Sequence, residues 1–311
     1  MTVTATPLRM VLAEVEVAAV TRLSPSFVRL ELAAAELADL GIDGPWLDQR
    51  FKLVVPHANG ALTSVRDADE SWWTTWAERP VEERGHMRTY SVREVLGTGV
   101  DTRLVVDIVV HPGGGEHGPG SDWAIAAQPG DRAVLAAPRR GVPFGGIEFD
   151  PPVATRLLLA GDETAVPAIC RILADLPDDA AGAAYLEVPH HLDVQDVRRP
   201  AGVSVTWLVR DHAPHGARLH AAVLEHLDLE PVATVEVDEV DPGLWETPTY
   251  SSSGEPLPAG SRHASDDLYA WIAGEAGMVT GLRRHLVKEL GVDRRQVAFM
   301  GYWRRGVAMR S

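Results

Sequence analysis

A short segment of this chain, Arg88–Arg93 (sequence RTYSVR), groups two arginines with a tyrosine and a serine. In an extended strand Arg88 and Tyr90 share one face, and Ser91 points to the other face. Arginine forks bind phosphate, and a tyrosine ring can lie against a planar heterocycle. The segment therefore indicates a nucleotide cofactor, and a flavin fits this combination well. An ordinary amphipathic strand with two solvated arginines is the alternative that the hexapeptide alone leaves open.

A glycine-rich run, His111–Ala124 (HPGGGEHGPGSDWA), follows one strand later. Glycines let backbone N–H groups approach a ligand closely, and Ser121 or Asp122 is expected to cap a helix that begins there. The positive end of that helix would suit a pyrophosphate. The run matches neither the Rossmann fingerprint nor the P-loop, which argues against generic kinases and NTPases. A flexible glycine loop with a helix cap is the competing interpretation.

Three later motifs are expected where the strands of a second, parallel sheet end. Ligands of open α/β sheets bind at this carboxyl-terminal edge. The motifs are AGDETA at 160–165, GEA at 274–276 and GYWRRG at 301–306. Their candidate residues are Asp162, Glu163, Thr164, Glu275, Tyr302, Trp303, Arg304 and Arg305. Strand-to-helix turns with a capping residue, and a tail with an aromatic anchor, explain the same motifs without a ligand.

The composition narrows the class of protein. The 311 residues suffice for two domains, and 45% hydrophobic with 23% charged residues is typical of a globular chain. A net charge of −15 argues against binding to nucleic acid or to anionic membranes. Cys170 is the single cysteine, so an internal disulfide, a thiolate metal site and an iron–sulfur cluster are excluded. No apolar stretch approaches the length of a membrane span, so we expect no membrane insertion and a cytoplasmic location.

The elements that must position the first two motifs are closely spaced strands. Val-rich and Leu-rich segments with polar alternation predict about six strands before residue 150, at 11–20, 26–32, 50–55, 87–95, 103–111 and 132–136. The segment 59–85 is predicted to be polar and irregular. We therefore expect residues 1–150 to form a small antiparallel β-barrel domain.

Beyond Asp150 the pattern changes to alternating strands and helices. Strands are predicted at 155–160, 183–188, 203–209, 268–273 and 297–300, and helices at 165–176, 218–227 and 275–290. The last helix is expected to bury Val279, Leu282, Leu286 and Leu290, with Gly291 as its cap. Residues 151–311 are therefore predicted to be a doubly wound α/β domain with a parallel sheet. The segment 241–263 is predicted to be a surface loop, in which Trp245 and Tyr250 anchor the loop or cover a site.

Taken together and in this order, the motifs identify a family. RTYSVR, HGPGSDWA, AGDETAVPAI, WIAGEA and GYWRRG, with RFKLVVP at 50–56, resemble those of the siderophore-interacting proteins. This family is a branch of the ferredoxin-reductase-like flavoproteins. The resemblance covers both expected domains and implies a FAD-binding antiparallel barrel followed by an α/β domain that binds NADPH or NADH.

The resemblance also implies roles for individual residues. Flavin and phosphate contacts would come from Arg88, Tyr90, Ser91 and Arg93. His111 would lie near the ring or ribose, and the pyrophosphate and adenine end would meet Gly120, Ser121 and Trp123. The approach of the reduced nucleotide would be lined by Asp162, Glu163, Thr164 and Glu275. Arg210 is either an exposed arginine or a contact for a ribose phosphate, and a ferredoxin could replace the nicotinamide donor.

The implied activity is FAD-dependent reduction of a ferric siderophore, with release of Fe(II). Such chelates are often anionic, so a strongly negative protein needs a local basic pocket for them. The candidates are Lys52, Arg139, Arg140, Arg304 and Arg305. A general flavin reductase or diaphorase is one alternative, and a module that binds ferric siderophore without reducing it is another.

The remaining histidines do not have the spacing of a metal site. No helix carries two of them four residues apart with a glutamate between, and no second cysteine supports them. We therefore predict no protein-held metal, and we expect His190, His191, His212, His215, His220 and His226 to be surface residues.

Overall fold

A computed structural model describes residues 8–66, 68–110, 118–151, 156–229, 245–247 and 267–306. The chain divides into two compact units, and the division along the sequence falls between Gly146 and Ile147. The domain boundary expected at residue 150 lies close to this division. His111, Tyr250 and most of the predicted 241–263 loop lie outside the described residues.

The first unit is a curled antiparallel sheet of seven strands. These are β1 (Met10–Arg22), β2 (Phe27–Ala33), β3 (Arg50–Val55), β4 (His86–Ser91), β5 (Glu94–Leu96), β6 (Arg103–Val109) and β7 (Arg132–Pro138), in the spatial order β4-β3-β7-β1-β2-β6-β5. Alternation along part of β1 shows which face of the sheet covers the core. Val11, Val15 and Val17 are fully buried on one face of β1, while Glu14 and Glu16 are exposed on the other.

The two ends of this sheet are joined by Val92 and Arg93. The Val92 N–H donates to the Gln49 carbonyl just before β3 (2.8 Å), and the Arg93 N–H donates to the Val105 carbonyl in β6 (2.9 Å). The single strand predicted over 87–95 is therefore wrong, because the chain passes from one sheet edge to the other at this point. Val92 is fully buried, so the apolar side chain of the RTYSVR segment enters the core at the crossing.

The segment predicted to be irregular over 59–85 contains two helices in its second half, α1 (Trp72–Glu78) and α2 (Val81–Arg84). Trp72 and Trp76 lie one helical turn apart, and both are buried. Their indole N–H groups donate to the carbonyls of Ser64 (3.2 Å) and Arg84 (3.0 Å). The prediction missed α1 because its tryptophans lie among polar neighbours. A third helix, α3 (Pro119–Ala126), follows β6.

The second unit is a mostly parallel six-stranded sheet. Its strands are β8 (Arg156–Gly161), β9 (Gly182–Val188), β10 (Val203–Val209), β11 (Trp245–Glu246), β12 (Leu268–Glu275) and β13 (Val297–Trp303), in the order β10-β9-β8-β12-β13-β11. All neighbouring strands are parallel except β11, which is antiparallel to β13. The predicted two-part fold, an antiparallel sheet followed by an α/β sheet, is thus confirmed.

The helices of the second unit are α4 (Val166–Asp175), α5 (Ala217–His226) and α6 (Ala276–Arg283). The last helix continues as a six-residue π-helical segment, Arg284–Glu289, which ends before Gly291 at a φ of 67°. Val279, Leu282 and Leu286 are fully buried as predicted. Leu290 is 38% exposed, so its predicted inward position is wrong. The wider π-helical turn rotates the positions after Arg284 relative to an α-helix. None of the described helices is long and apolar enough to cross a membrane.

Three residues, 245–247, are described between residues 229 and 267, and strand β11 attaches them to the sheet. Trp245 pairs with Met300, and its ring stacks on Tyr302 at 5.9 Å between centroids. Glu246 accepts two hydrogen bonds from the Arg283 guanidinium, at 2.6 and 2.8 Å. The side chain of Glu246 is 6% exposed, so this is a desolvated, bidentate ion pair. Trp245 thus anchors its segment, as one of the two sequence-based alternatives proposed.

The Glu246–Arg283 pair gives a stability prediction. Glu246→Ala leaves a largely buried guanidinium without its carboxylate, and we expect a loss of about 2–3 kcal/mol in the free energy of unfolding. Asp267→Ala is the control, because its ion pair with Arg156 is half exposed and spans 3.7 Å. That variant is expected to lose less than about 0.5 kcal/mol. Urea unfolding measures both, and equal losses would show that the Glu246 pair does not hold β11.

Candidate functional site

In the first unit, β4 places Arg88 and Tyr90 on the face that also carries the core of the sheet. The Tyr90 ring packs near Phe51 on β3, with 6.3 Å between ring centroids. Burial of the phenol raises the pKa of Tyr90 to about 12, and the opposing charge of Arg88 is the smaller effect. Tyr90 is therefore a neutral hydrogen-bonding group throughout the physiological pH range.

The start of α3 lies directly against these two side chains. A Cβ atom added to Gly120 would be 2.3 Å from the Tyr90 hydroxyl oxygen and 3.3 Å from the Arg88 Cγ. Only a residue without a side chain fits this approach. The cap predicted at Ser121 or Asp122 is wrong: Gly118 is the N-cap and Pro119 is the first helical residue. Proline is well suited to that position because its ring presets the helical φ and it has no N–H to satisfy.

Two polar side chains, Ser121 on α3 and Arg88 on β4, have hydrogen-bonding capacity that the described chain leaves unused. The Ser121 hydroxyl oxygen is buried and has no hydrogen-bond partner among the described residues. Arg88 donates to the Met87 carbonyl at 2.7 Å, and within the described ranges no carboxylate pairs with it. Burial lowers the pKa of Arg88, with Tyr90 acting against this shift. A partly buried guanidinium, a buried hydroxyl and a helix start are together suited to a phosphate.

Other cofactor residues expected from the sequence are placed differently. Ser91 ends β4 on the opposite face from Tyr90, where it pairs with Arg50 of β3. Arg93 lies 3.3 Å from Asp107, a carboxylate that also accepts two hydrogen bonds from Arg29. Trp123, on α3, packs against the apolar core. The structure thus brings Arg88, Tyr90 and Gly120 together, with Ser121 the next residue of α3, whereas Ser91 lies on the other face of β4 and Arg93 pairs with Asp107.

A hollow of about 290 Å³ opens on the face of the sheet that carries Lys52. It is lined by Arg50, Phe51, Lys52, Thr89, Phe144, Gly145 and Gly146. The Lys52 ammonium donates to the Thr89 hydroxyl at 2.6 Å and has no carboxylate partner in the described part of the chain. Burial, and secondarily the charge of Arg50, lower the pKa of Lys52. The hollow therefore combines cationic groups with an aromatic wall and glycine backbone.

The other predicted cations of the first unit already have protein partners. The Arg139 guanidinium forms a short ion pair with Asp39 and donates to the Met10 carbonyl at 3.3 Å. Arg140 donates to the Leu40 carbonyl at 3.1 Å. These contacts tie the end of β7 to the 3-10 turn Ala35–Asp39.

In the second unit, the strand ends meet at the carboxylate of Asp162, which is fully buried. One oxygen accepts from the N–H and the hydroxyl of Thr164, at 2.9 and 2.5 Å. The other accepts from the Glu275 N–H (2.8 Å) and from the Trp303 indole N–H (3.0 Å). One side chain therefore joins the ends of β8, β12 and β13.

Beside Asp162 lies a second group of buried charges. The Glu163 carboxylate accepts from the two terminal nitrogens of Arg210, at 2.9 and 3.1 Å. Glu187, on β9, accepts from Arg210 at 3.2 Å and from the first N–H groups of α5, at Gly216 (2.7 Å) and Leu219 (3.1 Å). The His215 Nε2 lies between Asp162 (3.3 Å) and Glu163 (3.7 Å).

Two expectations are corrected by this group. Arg210 has a side chain that is 14% exposed and pairs with two glutamates, so it is neither an exposed arginine nor open to a ribose phosphate. His215 is 5% exposed in its side chain, so it is not a surface residue. Sequence reasoning also missed Glu187. The signal was available for His215, because Arg210–His215 follows β10 and so belongs to the same sheet edge as Asp162.

The remaining residues of this edge surround the N-terminus of α6. Glu275 is its N-cap, and its carboxylate accepts from the Met278 N–H (3.0 Å) and the Arg305 N–H (3.2 Å). Arg304 is half-buried and Arg305 is exposed, and within the described ranges neither forms an ion pair. Thr164, Glu275 and these two arginines are therefore the members of the predicted set that border this edge.

Comparison with known proteins agrees with both units. The profile of the siderophore-interacting FAD-binding domain matches residues 16–142, and that of the siderophore-interacting protein matches residues 154–306. Ferric vibriobactin reductase ViuB of Vibrio cholerae is 30% identical over 91% of this chain and 86% of its own length. An NADPH-dependent ferric-chelate reductase of Escherichia coli is 25% identical over 93% and 92%.

Solved structures give the same result. A siderophore utilization protein from T. fusca has a TM-score of 0.66 and 29% identity, and the match covers 97% of this chain and 96% of that one. A ferredoxin NADP+ reductase from Neisseria gonorrhoeae, with bound FAD and NADP, shares the fold at a TM-score of 0.54 and 12% identity, over 93% and 98% of the two chains.

The antiparallel sheet followed by the mostly parallel α/β sheet is a ferredoxin-reductase-like fold. Within that class, the chain belongs to the siderophore-interacting protein family and has the FAD-binding domain of that family. The family predicted from the five motifs is thereby confirmed.

The close contact at Gly120 predicts a loss of stability in Gly120→Ala that a second substitution, at Tyr90, should reverse. Gly120→Ala places a methyl group 2.3 Å from the Tyr90 hydroxyl, and we expect a loss of about 2 kcal/mol in the free energy of unfolding. Adding Tyr90→Phe should recover most of this loss, because the nearest ring atom is then the Cζ at 3.6 Å.

Gly118→Ala is the matched control, since nothing lies within 4 Å of its added methyl group. It is expected to cost less than about 1 kcal/mol, as an N-cap change. Urea unfolding followed by circular dichroism measures all three variants. Failure of Tyr90→Phe to rescue Gly120→Ala would place the close contact elsewhere.

Proposed function

We propose that this protein is a FAD-dependent ferric-siderophore reductase, which passes electrons from NAD(P)H to a ferric siderophore and releases Fe(II). The observation that carries the proposal is the Arg88 guanidinium, which lacks a carboxylate partner beside the start of α3 in a family-defined FAD-binding domain. A buried cation of this kind needs an anionic ligand to offset its desolvation.

The residues around Arg88 suit FAD. Arg88 would neutralise phosphate charge, and the buried Ser121 hydroxyl would find in a phosphate oxygen the partner that the described chain does not offer. The absence of a side chain at Gly120 lets the backbone of α3 approach the same group. Tyr90 stays neutral at physiological pH and would present its ring and hydroxyl to a planar heterocycle.

FAD held by these residues would supply the link between a two-electron hydride donor and a one-electron acceptor such as Fe(III). The chain itself then has to bind and orient donor and acceptor. It needs no nucleophile and no general base for electron transfer.

The ferric siderophore is the substrate that this charge distribution would suit. Siderophores hold Fe(III) with hard oxygen ligands that are often anionic, and these bind Fe(II) more weakly. A protein with a net charge of −15 repels such a chelate except where cations are locally exposed. Lys52, with its hollow and without a carboxylate partner, meets this requirement in the first unit, and Arg304 and Arg305 are the candidates in the second.

The electron donor is proposed to bind at the carboxyl-terminal edge of the second sheet. Thr164 and the N-terminus of α6 at Glu275 lie at this edge, where open α/β sheets bind nucleotides. The name of the Escherichia coli relative specifies NADPH, which supports a nicotinamide donor over a ferredoxin. Asp162 and Glu163 are fully occupied by protein donors, so we assign them to holding this edge and not to touching the nucleotide.

The proposed reaction is tested by an anaerobic titration of the flavin-loaded protein. We expect NADPH or NADH to bleach the flavin absorbance, and ferric siderophore then to restore it while a ferrous-specific dye traps Fe(II). Free flavin and a simple ferric salt serve as competing acceptors. Faster turnover with free flavin than with any ferric siderophore would favour a general flavin reductase. Protein that binds ferric siderophore but takes up no FAD would favour a binding module.

Lys52 provides a test of the substrate pocket. Lys52→Glu reverses the charge in the hollow, so we expect KM for an anionic ferric chelate to rise about tenfold or more, with bound FAD unchanged. Lys288→Glu is the matched control, since Lys288 is the other lysine of the chain and is exposed on the π-helical segment. Equal kinetics for both variants would remove Lys52 from the pocket. A neutral chelate should be affected much less than an anionic one.

A further inference from the structure

His215 occupies an unusual position in the second unit. It precedes Gly216, the N-cap of α5, whose positive φ of 78° turns the chain into the helix. Its ring stands edge-on to Trp303, with 5.2 Å between centroids. Its Nε2 is 3.3 Å from Asp162 and 3.7 Å from Glu163, at angles too poor for ideal hydrogen bonds. Charge is therefore the main attraction between this ring and the two carboxylates.

The buried groups around His215 carry more negative than positive charge. Asp162 and Glu163 come from the turn after β8, Glu187 from β9, and all three are almost fully buried. Arg210, after β10, is the cation that pairs with the two glutamates. Glu275, at the start of α6, adds a fourth and more exposed carboxylate. A neutral His215 would leave three buried carboxylates with one guanidinium, which is costly in a desolvated site.

The electrostatics agree with a protonated ring. Burial by itself would lower the pKa of His215, but the close carboxylates of Asp162 and Glu163 outweigh it and raise the pKa to about 9. Burial likewise opposes ionisation of Glu163, whereas His215 and Arg210 lower its pKa to about 2. Because the folded-state pKa of His215 is raised, its contribution is fully present below pH 6.5 and is lost as pH rises through about 9.

A metal ion is a less suitable occupant of this cluster. Asp162, Glu163 and His215 do offer three ligand atoms within 4.8 Å of one another. However, Asp162 already accepts four hydrogen bonds, two on each oxygen. Glu163 is held by the Arg210 fork at 2.9 and 3.1 Å, which would also repel a cation. Metal binding would have to break these contacts, whereas a proton on His215 complements them.

We infer that His215 is a positioning residue: its imidazolium holds Asp162 and Glu163 in place and, through Asp162, fixes the Trp303 indole and the N-terminus of α6. This inference rests on the proposed function, because that edge is the proposed site of the nicotinamide donor. His215 does not touch the nucleotide. Its loss lets the Asp162 carboxylate move, and the Glu275 N–H and Trp303 N–H lose their common acceptor.

The experiment compares His215→Ala, which removes ring and charge, with His215→Gln, which keeps an N–H donor without charge. His212→Gln is the matched control, since His212 is exposed in the same loop. We expect KM for NADPH to rise about tenfold in His215→Ala and about threefold in His215→Gln, with kcat changed less than twofold. In wild type KM should rise as pH passes about 9, and in His215→Gln it should not. Reoxidation of dithionite-reduced protein by ferric chelate should be unchanged.

A second readout is independent of turnover. Histidine NMR resonances of the flavin-loaded protein should include one that titrates near pH 9 and is missing in His215→Gln. The same resonance should be insensitive to Zn²⁺ or Mn²⁺. A titration near 6.5, a shift on adding metal, or a KM for NADPH within twofold of wild type in both His215 variants would overturn the inference. If NADPH fails to reduce wild-type protein, the proposed donor fails, while the NMR titration still judges the charge state of His215.

Discussion

The net charge of −15 is the constraint on which the functional arrangement depends. Each anion that this protein binds has to be met by a cation that is not already neutralised. Several partly buried arginines already form ion pairs in the described part of the chain: Arg29 and Arg93 with Asp107, Arg139 with Asp39, Arg210 with Glu163 and Glu187, and Arg283 with Glu246. Arg88 and Lys52 have no carboxylate partner in the described part of the chain, and they are the cations beside the α3 contact and the hollow.

The same distinction separates the two kinds of carboxylate at the edge of the second sheet. Asp162, Glu163 and Glu187 are buried and use their oxygens on the protein itself. Their hydrogen bonds connect three strand ends and the start of α5 to one another. Glu275 differs, because it caps α6 while remaining partly exposed. The shape of this edge is therefore set by buried charges that lie beneath its surface.

Local sequence patterns predicted much of this fold and part of the site. The bounds of β3 and β10 agree with the predicted strands, because short apolar alternation between turns depends only on nearby residues. Period-two alternation also placed Arg88 and Tyr90 on one face of β4. The break at Val92 was not predictable in this way, since it depends on carbonyls of Gln49 and Val105 that lie elsewhere in the chain. The pairing of Arg210 likewise depends on Glu163 and Glu187, and that of His215 on Asp162 and Glu163, which lie on other elements of the sheet.

The two-residue strand β11 affects how much of the edge of the second sheet is open to pairing with other chains. A parallel sheet ending at β13 would present a row of free backbone donors and acceptors, and such borders recruit strands from neighbouring chains. Trp245 and Glu246 cover part of that border, next to Met300 and Phe299, and the Arg283 fork holds them there. This brief antiparallel pairing therefore leaves fewer backbone groups of β13 open to a strand from another chain.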